Sequence, residues 1–528
     1  MDFDGASIGA EPAFPGGLRM KRALWVMVLM IPVTILVLNG CSRRETPILA
    51  REFDVVINNG RMIDPETKTE ALADIGLRNG RIVAIVSPDE ELKGQEVIDA
   101  QGRVVAPGFI DIHSHEGLLP MTMQAHVLDG VTMMIGGNCG GSPYPLAEYF
   151  NRLDQDGCLI NYAAFTGHST LREVSGAKDR NKAATAEQIK EMAKLAEKEI
   201  VAGGIGISYG IGYVPGTPYE EILALAQVAA RCKGMTAVHA RSGEIGQEGI
   251  ESFREVIRLA RESGAPVEFS HIGSTLGKSD NIDKFLDKMT QARAEGVRIS
   301  ADIYSYSAGG TAIGSAVADP GLFKRQNCKP EDIEVVGTVK IDGKVFMEPG
   351  SRFKSEEQFY FVRGKILSGQ IPEPGMILHI IQPEKIKLGI KNPFVMCGSD
   401  GSVERDKETG EYQGHPRVAG NFSRFLGYWT REQGVVDLMT ALYKTSTQAA
   451  LFLGLTNKGK IAVGADADIV IFKADTIKDK SGYGRDFMTP PDGIEYVIVN
   501  GKITVAKGKI IPGVQAGKAV RRTWAIPG

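Results

Sequence analysis

The chain begins and ends with short runs of alternating apolar and polar positions, and between them the period changes. Near the front, residues 53–63 (FDVVINNGRMI), 74–86 (DIGLRNGRIVAIV) and 96–105 are β-rich and broken by Asn-Gly or Gln-Gly pairs. Asn-Gly between apolar runs is a strong hairpin signal, because both residues tolerate positive φ. Near the other end, 468–472 (DIVIF) and 494–505 (IEYVIVNGKITV) repeat that style. The two ends are expected to pair into one small β-sandwich.

In the middle, eight short apolar runs at 108–113, 131–136, 160–165, 204–208, 236–239, 267–270, 298–303 and 394–397 alternate with longer stretches. The clearest of these stretches, 186–202, 219–232, 249–263 and 281–295, carry apolar residues at helical spacing. Strands alternating with helices predict a parallel sheet, and eight units predict a closed TIM (β/α)8 barrel. The predicted class is thus α/β, a TIM barrel with a small β-sandwich formed from both chain ends. Its parts are 53–106 and 459–520 for the sandwich and 107–455 for the barrel. The stretch from about 305 to 390 is too long for a plain connection and is expected to be an insertion over the barrel mouth.

Residues 1–41 read differently. A Gly/Pro-rich start leads to Met20-Lys21-Arg22, then the apolar run 23–38, then Leu38-Asn39-Gly40-Cys41. A basic start, a short apolar core and small residues before the break make a secretory signal. The ending resembles a bacterial lipobox, which implies removal of residues about 20–40 and lipid on Cys41. The run falls short of the ~18–20 apolar residues of a membrane-spanning helix, the competing reading. The expected location is the bacterial cell envelope, with the membrane as partner through Cys41.

Composition narrows the field. The 528 residues are 43% hydrophobic and 24% charged with a net charge of -3, which suits a globular protein and gives no sign of nucleic-acid binding. Six scattered cysteines, one of them Cys41, do not read as a disulfide framework.

The candidate chemistry sits where the predicted strands end. The first ends in His113-Ser114-His115, whose imidazoles point to the same side of a strand. The second runs into Gly137-Asn138-Cys139-Gly140, the fifth ends at His239, the sixth at His271, and the eighth runs into Ser399-Asp400-Gly401. Active sites of TIM barrels lie at this face. Imidazole and thiolate suit zinc, which lowers the pKa of bound water towards ~7. An aspartate beside it can move the proton to a leaving group. Each piece alone is weak, since buried Cys and Asp-Gly turns are common; their joint occurrence in barrel order carries the reading. His126 and His379 read as packing, His168 as structural or supporting, and Asp302 as open to either role.

These motifs, together with Pro107-Gly108-Phe109-Ile110-Asp111 before His113, Phe269-Ser270-His271, His415-Pro416-Arg417 and Gly464-Ala465-Asp466-Ala467-Asp468, resemble the N-acyl-D-amino-acid deacylases (D-aminoacylases) of the amidohydrolase superfamily. Gly-Asn-Cys-Gly is the most specific, because most of the superfamily uses a carbamylated Lys where this group uses Cys. The resemblance implies a tight zinc on Cys139, His239 and His271, and a second, weaker site on His113 and His115 sharing Cys139. It implies Asp400 as general acid/base, Arg417 on the substrate carboxylate, and Tyr304 assisting there. Three positions depart from the family: Gly273 replaces a Lys, Gly310 a Ser, and Glu116 an Asp. The chemistry is retained while carboxylate contacts are lost, so the substrate class widens to related peptides with a D-residue.

The expected function is zinc-dependent hydrolysis of the amide bond of a small N-acyl-D-amino acid or such a peptide. A cyclic-amide or ureide hydrolase of the same superfamily is the first alternative; it calls for a bridging Lys, and 204–210 holds none. A non-catalytic, envelope ligand-binding lipoprotein is the second.

Overall fold

The computed structural model describes residues 52–241, 250–276 and 282–523. The signal segment and Cys41 lie outside the described residues.

The front part supplies β1 (Glu52–Asp64), β2 (Thr69–Arg78), β3 (Arg81–Val86), β4 (Lys93–Asp99) and β5 (Val104–Pro107). Parallel strands follow: β6 (Phe109–Asp111), β7 (Val131–Gly136), β8 (Asn161–Ala164) and its continuation β9 (Thr166–Gly167), β10 (Gly206–Gly210), β11 (Met235–His239), β12 (Val267–Phe269) and β13 (Ile299–Ile303). Then come β14 (Gly309–Ala312), β15 (Ile333–Val335), β16 (Val339–Ile341), β17 (Lys344–Met347) and β18 (Gly375–Leu378), before the eighth barrel strand β19 (Val395–Cys397). A hairpin, β20 (Val403–Arg405) and β21 (Tyr412–Gly414), precedes β22 (Ile469–Phe472), β23 (Ile494–Val499), β24 (Lys502–Ala506) and β25 (Lys509–Ile510).

The two chain ends meet as expected. Antiparallel pairing of β5 with β22 joins them into one nine-stranded sheet. Asn79-Gly80 and Asn500-Gly501 make the hairpin turns β2–β3 and β23–β24. Asn59-Gly60 does not make a turn. It forms a bulge inside the single strand β1, with Asn59 at φ 55° and its N–H held by Asp74 at 2.7 Å. The kink has a use: on its other edge β1 pairs with β4 before the bulge and with β5 after it.

In the barrel, each strand from β6 to β13 pairs with the next, and β13 with β19. The first and eighth strands meet at their C-terminal ends, where Asp400 N–H donates to His113 O at 2.7 Å and His115 N–H to Gly401 O at 3.0 Å. Strands covered on both sides need apolar residues on both. Ile110, Ile112, Met133 and Ile135 fill the interior, while Phe109 and Met134 face the surrounding helices. Those helices include α1 (Leu119–Leu128), α2 (Leu146–Asp156), α3 (His168–Val174), α4 (Ala186–Val201), α5 (Tyr219–Arg231), α6 (Ile250–Ser263), α7 (Ile272–Leu276) and α8 (Ile282–Ala294). In α4 a capping box starts the helix: Thr185 Oγ1 accepts from Gln188 N–H and Gln188 Oε1 from Thr185 N–H. Met192, Ala196 and Ile200, four apart, give α4 its buried face.

Within the expected insertion, β14, β18 and β15 form an antiparallel sheet and β16–β17 a hairpin. Its residues Gly310 to Ala312, Val336 and Glu373 to Ile377 line the cavity at the barrel mouth.

Candidate metal centre

The strand ends deliver the chemistry to one cavity of about 450 Å³, lined by His115, Cys139, His239, His271, Asp400 and Arg417 among others. His113 lies beneath it, fully buried. Cys139 Sγ is 3.4 Å from His113 Nε2 and 3.5 Å from His271 Nε2. Asp400 Oδ1 is 3.0 Å from His115 Nε2 and 3.5 Å from His113 Nε2. One donor atom from each of His113, Cys139, His271 and Asp400 falls within 4.8 Å of all the others. His239 stands beside this group with its ring 4.6 Å from that of His271.

Local backbone geometry aims these side chains. Cys139, His271 and Asp400 all have positive φ, at 52°, 37° and 53°. Left-handed backbone costs an L-residue roughly 1–2 kcal/mol, and such outliers cluster at functional sites. It turns each chain sharply as it leaves its strand.

Neighbours fix the ring nitrogens. His113 Nδ1 bonds Asp302 Oδ2 at 3.0 Å and His271 Nδ1 bonds Ser274 Oγ at 3.0 Å, which leaves both Nε2 atoms for Cys139. Tyr213 packs on His239 with ring centroids 4.5 Å apart.

The electrostatics favour a cation. Burial pushes the Cys139 thiol up, but His113 and His271 outweigh it and hold it well below the ordinary thiol value. Burial would lower His113, yet Asp302 and the Cys139 thiolate raise it well above the ordinary imidazole value. Burial opposes His115 too, and hydrogen bonds with Asp400 and Cys139 bring it to about 10. His239 goes the other way: burial and His271 lower it, so it is neutral at pH 7 with a lone pair to offer. Protons thus fill the space between a thiolate and imidazoles, the place a divalent cation takes when it displaces them. Soft sulfur with imidazole nitrogen suits zinc; the donor set fits the ion.

Arg417 closes the far side. Its Nη1 lies 2.9 Å from Asp400 Oδ2, and its guanidinium carbon sits 4.6 Å over the Tyr304 ring. Burial raises the Asp400 carboxyl, but Arg417, His271 and the bond from His115 hold it well below the usual carboxylate range. Arg417 Nε is buried without a hydrogen-bond partner among the described residues. Tyr304 is 1% exposed and supports the guanidinium from behind. Gly310 borders this group, since a Cβ there would stand 3.5 Å from Arg417 Nη2. At Gly273 a Cβ would instead meet Ile303 and Ile381, at 3.4 and 3.7 Å.

The remaining histidines are structural. His126 bonds Asp111 and Ser114, His168 bonds Glu221, and His379 bonds Glu334. Asp302, left open by the sequence, orients His113. Ser274, Tyr213 and Glu116 were not singled out as supports; a lone polar side chain in such a chain gives no periodic signal. Glu116 accepts from Gly137 N–H at 2.7 Å and from the Tyr162 hydroxyl.

Comparisons with known proteins agree with this geometry. The model of the Amidohydrolase family matches residues 96–333 and 374–505. An N-acyl-D-glutamate deacylase of Alcaligenes xylosoxydans xylosoxydans is 29% identical over 515 residues, 91% of this chain and 99% of that protein. A D-aminoacylase of the same organism is 30% identical over 510 residues, 90% of this chain and 99% of that protein. The crystal structure of N-acyl-D-glutamate deacylase from Bordetella bronchiseptica, complexed with zinc and a phosphonate mimic of the tetrahedral intermediate, superposes with a TM-score of 0.74. It is 26% identical and covers 89% of this chain and 100% of its own.

Proposed function

Because the chain belongs to the amidohydrolase family, in its N-acyl-D-amino-acid deacylase branch, we propose that it is a zinc-dependent hydrolase of the amide bond in N-acyl-D-amino acids or related peptides with a D-residue. The observation that carries this is Cys139 Sγ set between the Nε2 atoms of His113 and His271, with Asp400 across from it.

Cys139, His239 and His271 would hold the tight ion, and His113 and His115 a weaker one. Zinc, when bound, supplies the Lewis acidity that polarises the amide carbonyl and makes water acidic near neutrality. Asp400 accepts the proton of the attacking water and returns it to the departing nitrogen. Arg417 grips the substrate carboxylate through the edge that Asp400 leaves free, a geometry suited to a planar guanidinium. The two roles are linked: a substrate carboxylate that draws on Arg417 weakens its hold on Asp400 and makes that carboxylate a better base. Tyr304 keeps the guanidinium plane in place.

Purified protein is expected to carry zinc and to release free amino acid from a panel of N-acyl-D-amino acids and L-D dipeptides. A chelator should stop the release and added zinc restore it. Absence of transition metal, with indifference to its addition, would end this reading. Hydantoins and dihydropyrimidines in the same assay test the cyclic-amide alternative, against which stands Cys139 in place of a fourth-strand lysine. Export with lipid on Cys41 is the matching proposal for location, read from the sequence; Cys41→Ala should abolish incorporation of a labelled fatty acid.

A further inference from the structure

The fourth barrel strand carries no lysine to bridge metals, yet it reaches the metal centre by another route. Ser208, fully buried in the middle of β10, donates its hydroxyl hydrogen to Gly137 O. The same oxygen accepts from Gly140 N–H at 3.1 Å. One side chain therefore ties the two ends of the 137–140 turn that presents Cys139. Glu116 holds that turn from the opposite side through Gly137 N–H. Ser169 and Thr170 N–H, at the start of α3, donate to Gly140 O at 2.8 and 3.2 Å. The turn lies flat on β10: a Cβ on Gly210 would fall 2.1 Å from Cys139 O, and one on Gly140 2.7 Å from Gly210 N. Each backbone polar group of Gly137 and Gly140 has its own partner, and between them Cys139 is kept at a φ of 52°.

We propose that Ser208, with Glu116 opposite, is a positioning residue that holds the 137–140 turn so that the Cys139 thiolate stands between His113 and His271. The proposal rests on the reading of Cys139 as a metal ligand. Without the hydroxyl, Gly137 O and Gly140 N–H are buried and unpaired. The turn then relaxes towards negative φ, which swings Sγ away from the imidazoles. Substitution of groups that orient metal ligands typically weakens binding by about 10–100-fold.

The probe is Cd2+ alone, titrated into metal-stripped full-length protein and followed by the ultraviolet thiolate-to-cadmium charge-transfer band. The spectrum of Cys139→Ala is subtracted to remove the other thiols, and urea unfolding is measured alongside. Loss of a distinct Cys139 band from the wild type would sink the ligand reading itself, separately from the role of Ser208. With that band present, Ser208→Ala is expected to bind Cd2+ about 10–100-fold more weakly and to show a smaller band. Wild-type affinity and band in Ser208→Ala, whatever its stability, overturn the proposal. If Ser208→Ala does not fold, the Glu116 pair decides. Glu116→Gln keeps an oxygen for Gly137 N–H and should bind as the wild type does; Glu116→Ala should bind weakly. Equal affinity in the two variants overturns the proposal.

Discussion

Replacing Asp400 by Asn separates proton transfer from everything else the site does. The amide is nearly the same shape, and Asn tolerates the left-handed φ of 53° better than most residues. The five sulfur and imidazole donors, on Cys139, His113, His115, His239 and His271, are untouched, so zinc should remain. What disappears is a carboxylate that can take and return a proton, a contribution of about 10²–10⁴-fold, or about 3–5 kcal/mol of barrier. The substitution also frees Arg417, whose Nη1 now faces Asp400 at 2.9 Å. A substrate carboxylate would then meet an uncommitted guanidinium, so KM should hold or fall while kcat collapses. Steady-state kinetics on the best N-acyl-D-amino acid, with zinc content measured by mass spectrometry on the same sample, reads both quantities. A fully zinc-loaded Asn variant with kcat within threefold of the wild type would remove Asp400 from the chemistry. A loss confined to KM would assign it to binding instead.

Other substitutions test neighbouring links. Arg417→Lys loses the planar fork, and kcat/KM should fall about 10–100-fold, chiefly through KM; an unchanged KM would place the substrate carboxylate elsewhere. Asp302→Ala leaves His113 Nδ1 without its acceptor, and zinc affinity by calorimetry should drop by about 10–100-fold; unaltered affinity would reduce Asp302 to packing. Lys444, 90% buried and donating to Asn392 O and Val395 O, is lowered by burial from 10.5 to about 8. Across pH 8 to 10.5 the unfolded chain binds more protons at this residue than the folded one, so its unfavourable contribution fades as pH rises. Urea unfolding should show stability climbing by up to about 3 kcal/mol more in the wild type than in Lys444→Met over that window. Parallel curves would show that Lys444 titrates normally.

Most of the barrel and all the donor atoms could be read from the chain because their signals are local. A strand covered on both faces must be apolar throughout, and a polar residue at its C-terminal end then stands out; hence His113, Cys139, His239, His271 and Asp400. The supports were invisible for the opposite reason. Ser208 sits inside the apolar strand β10, and its value lies in two backbone atoms of a turn some 70 residues away. Glu116 registers only as an unusual acid after His-x-His. The sheet within 309–378 is built from pairings such as Ala312 with Gly375, which no local period encodes. Asn59-Gly60 misled because a positive-φ pair serves a bulge as readily as a turn; only the switch of β1 from β4 to β5 decides between them.

The three left-handed residues explain why supports of this kind are needed at all. A strand that simply ended would send its last side chains along the alternation, half of them into the packed interior. Sharp turns at Cys139, His271 and Asp400 bring sulfur, imidazole and carboxylate together above the core, at a combined cost of roughly 3–6 kcal/mol. That is a large share of the 5–15 kcal/mol by which a domain is typically stable, so each turn must be held by contacts that do not depend on the metal. Asp400 has its N–H on His113 O, His271 has its carbonyl on Ser274 N–H, and Cys139 has Ser208 and Glu116 around it. The folded chain therefore sets the donors in place before any ion arrives. A cation entering this centre has only protons to displace, and the binding free energy that would otherwise order the turns is left to hold the ion.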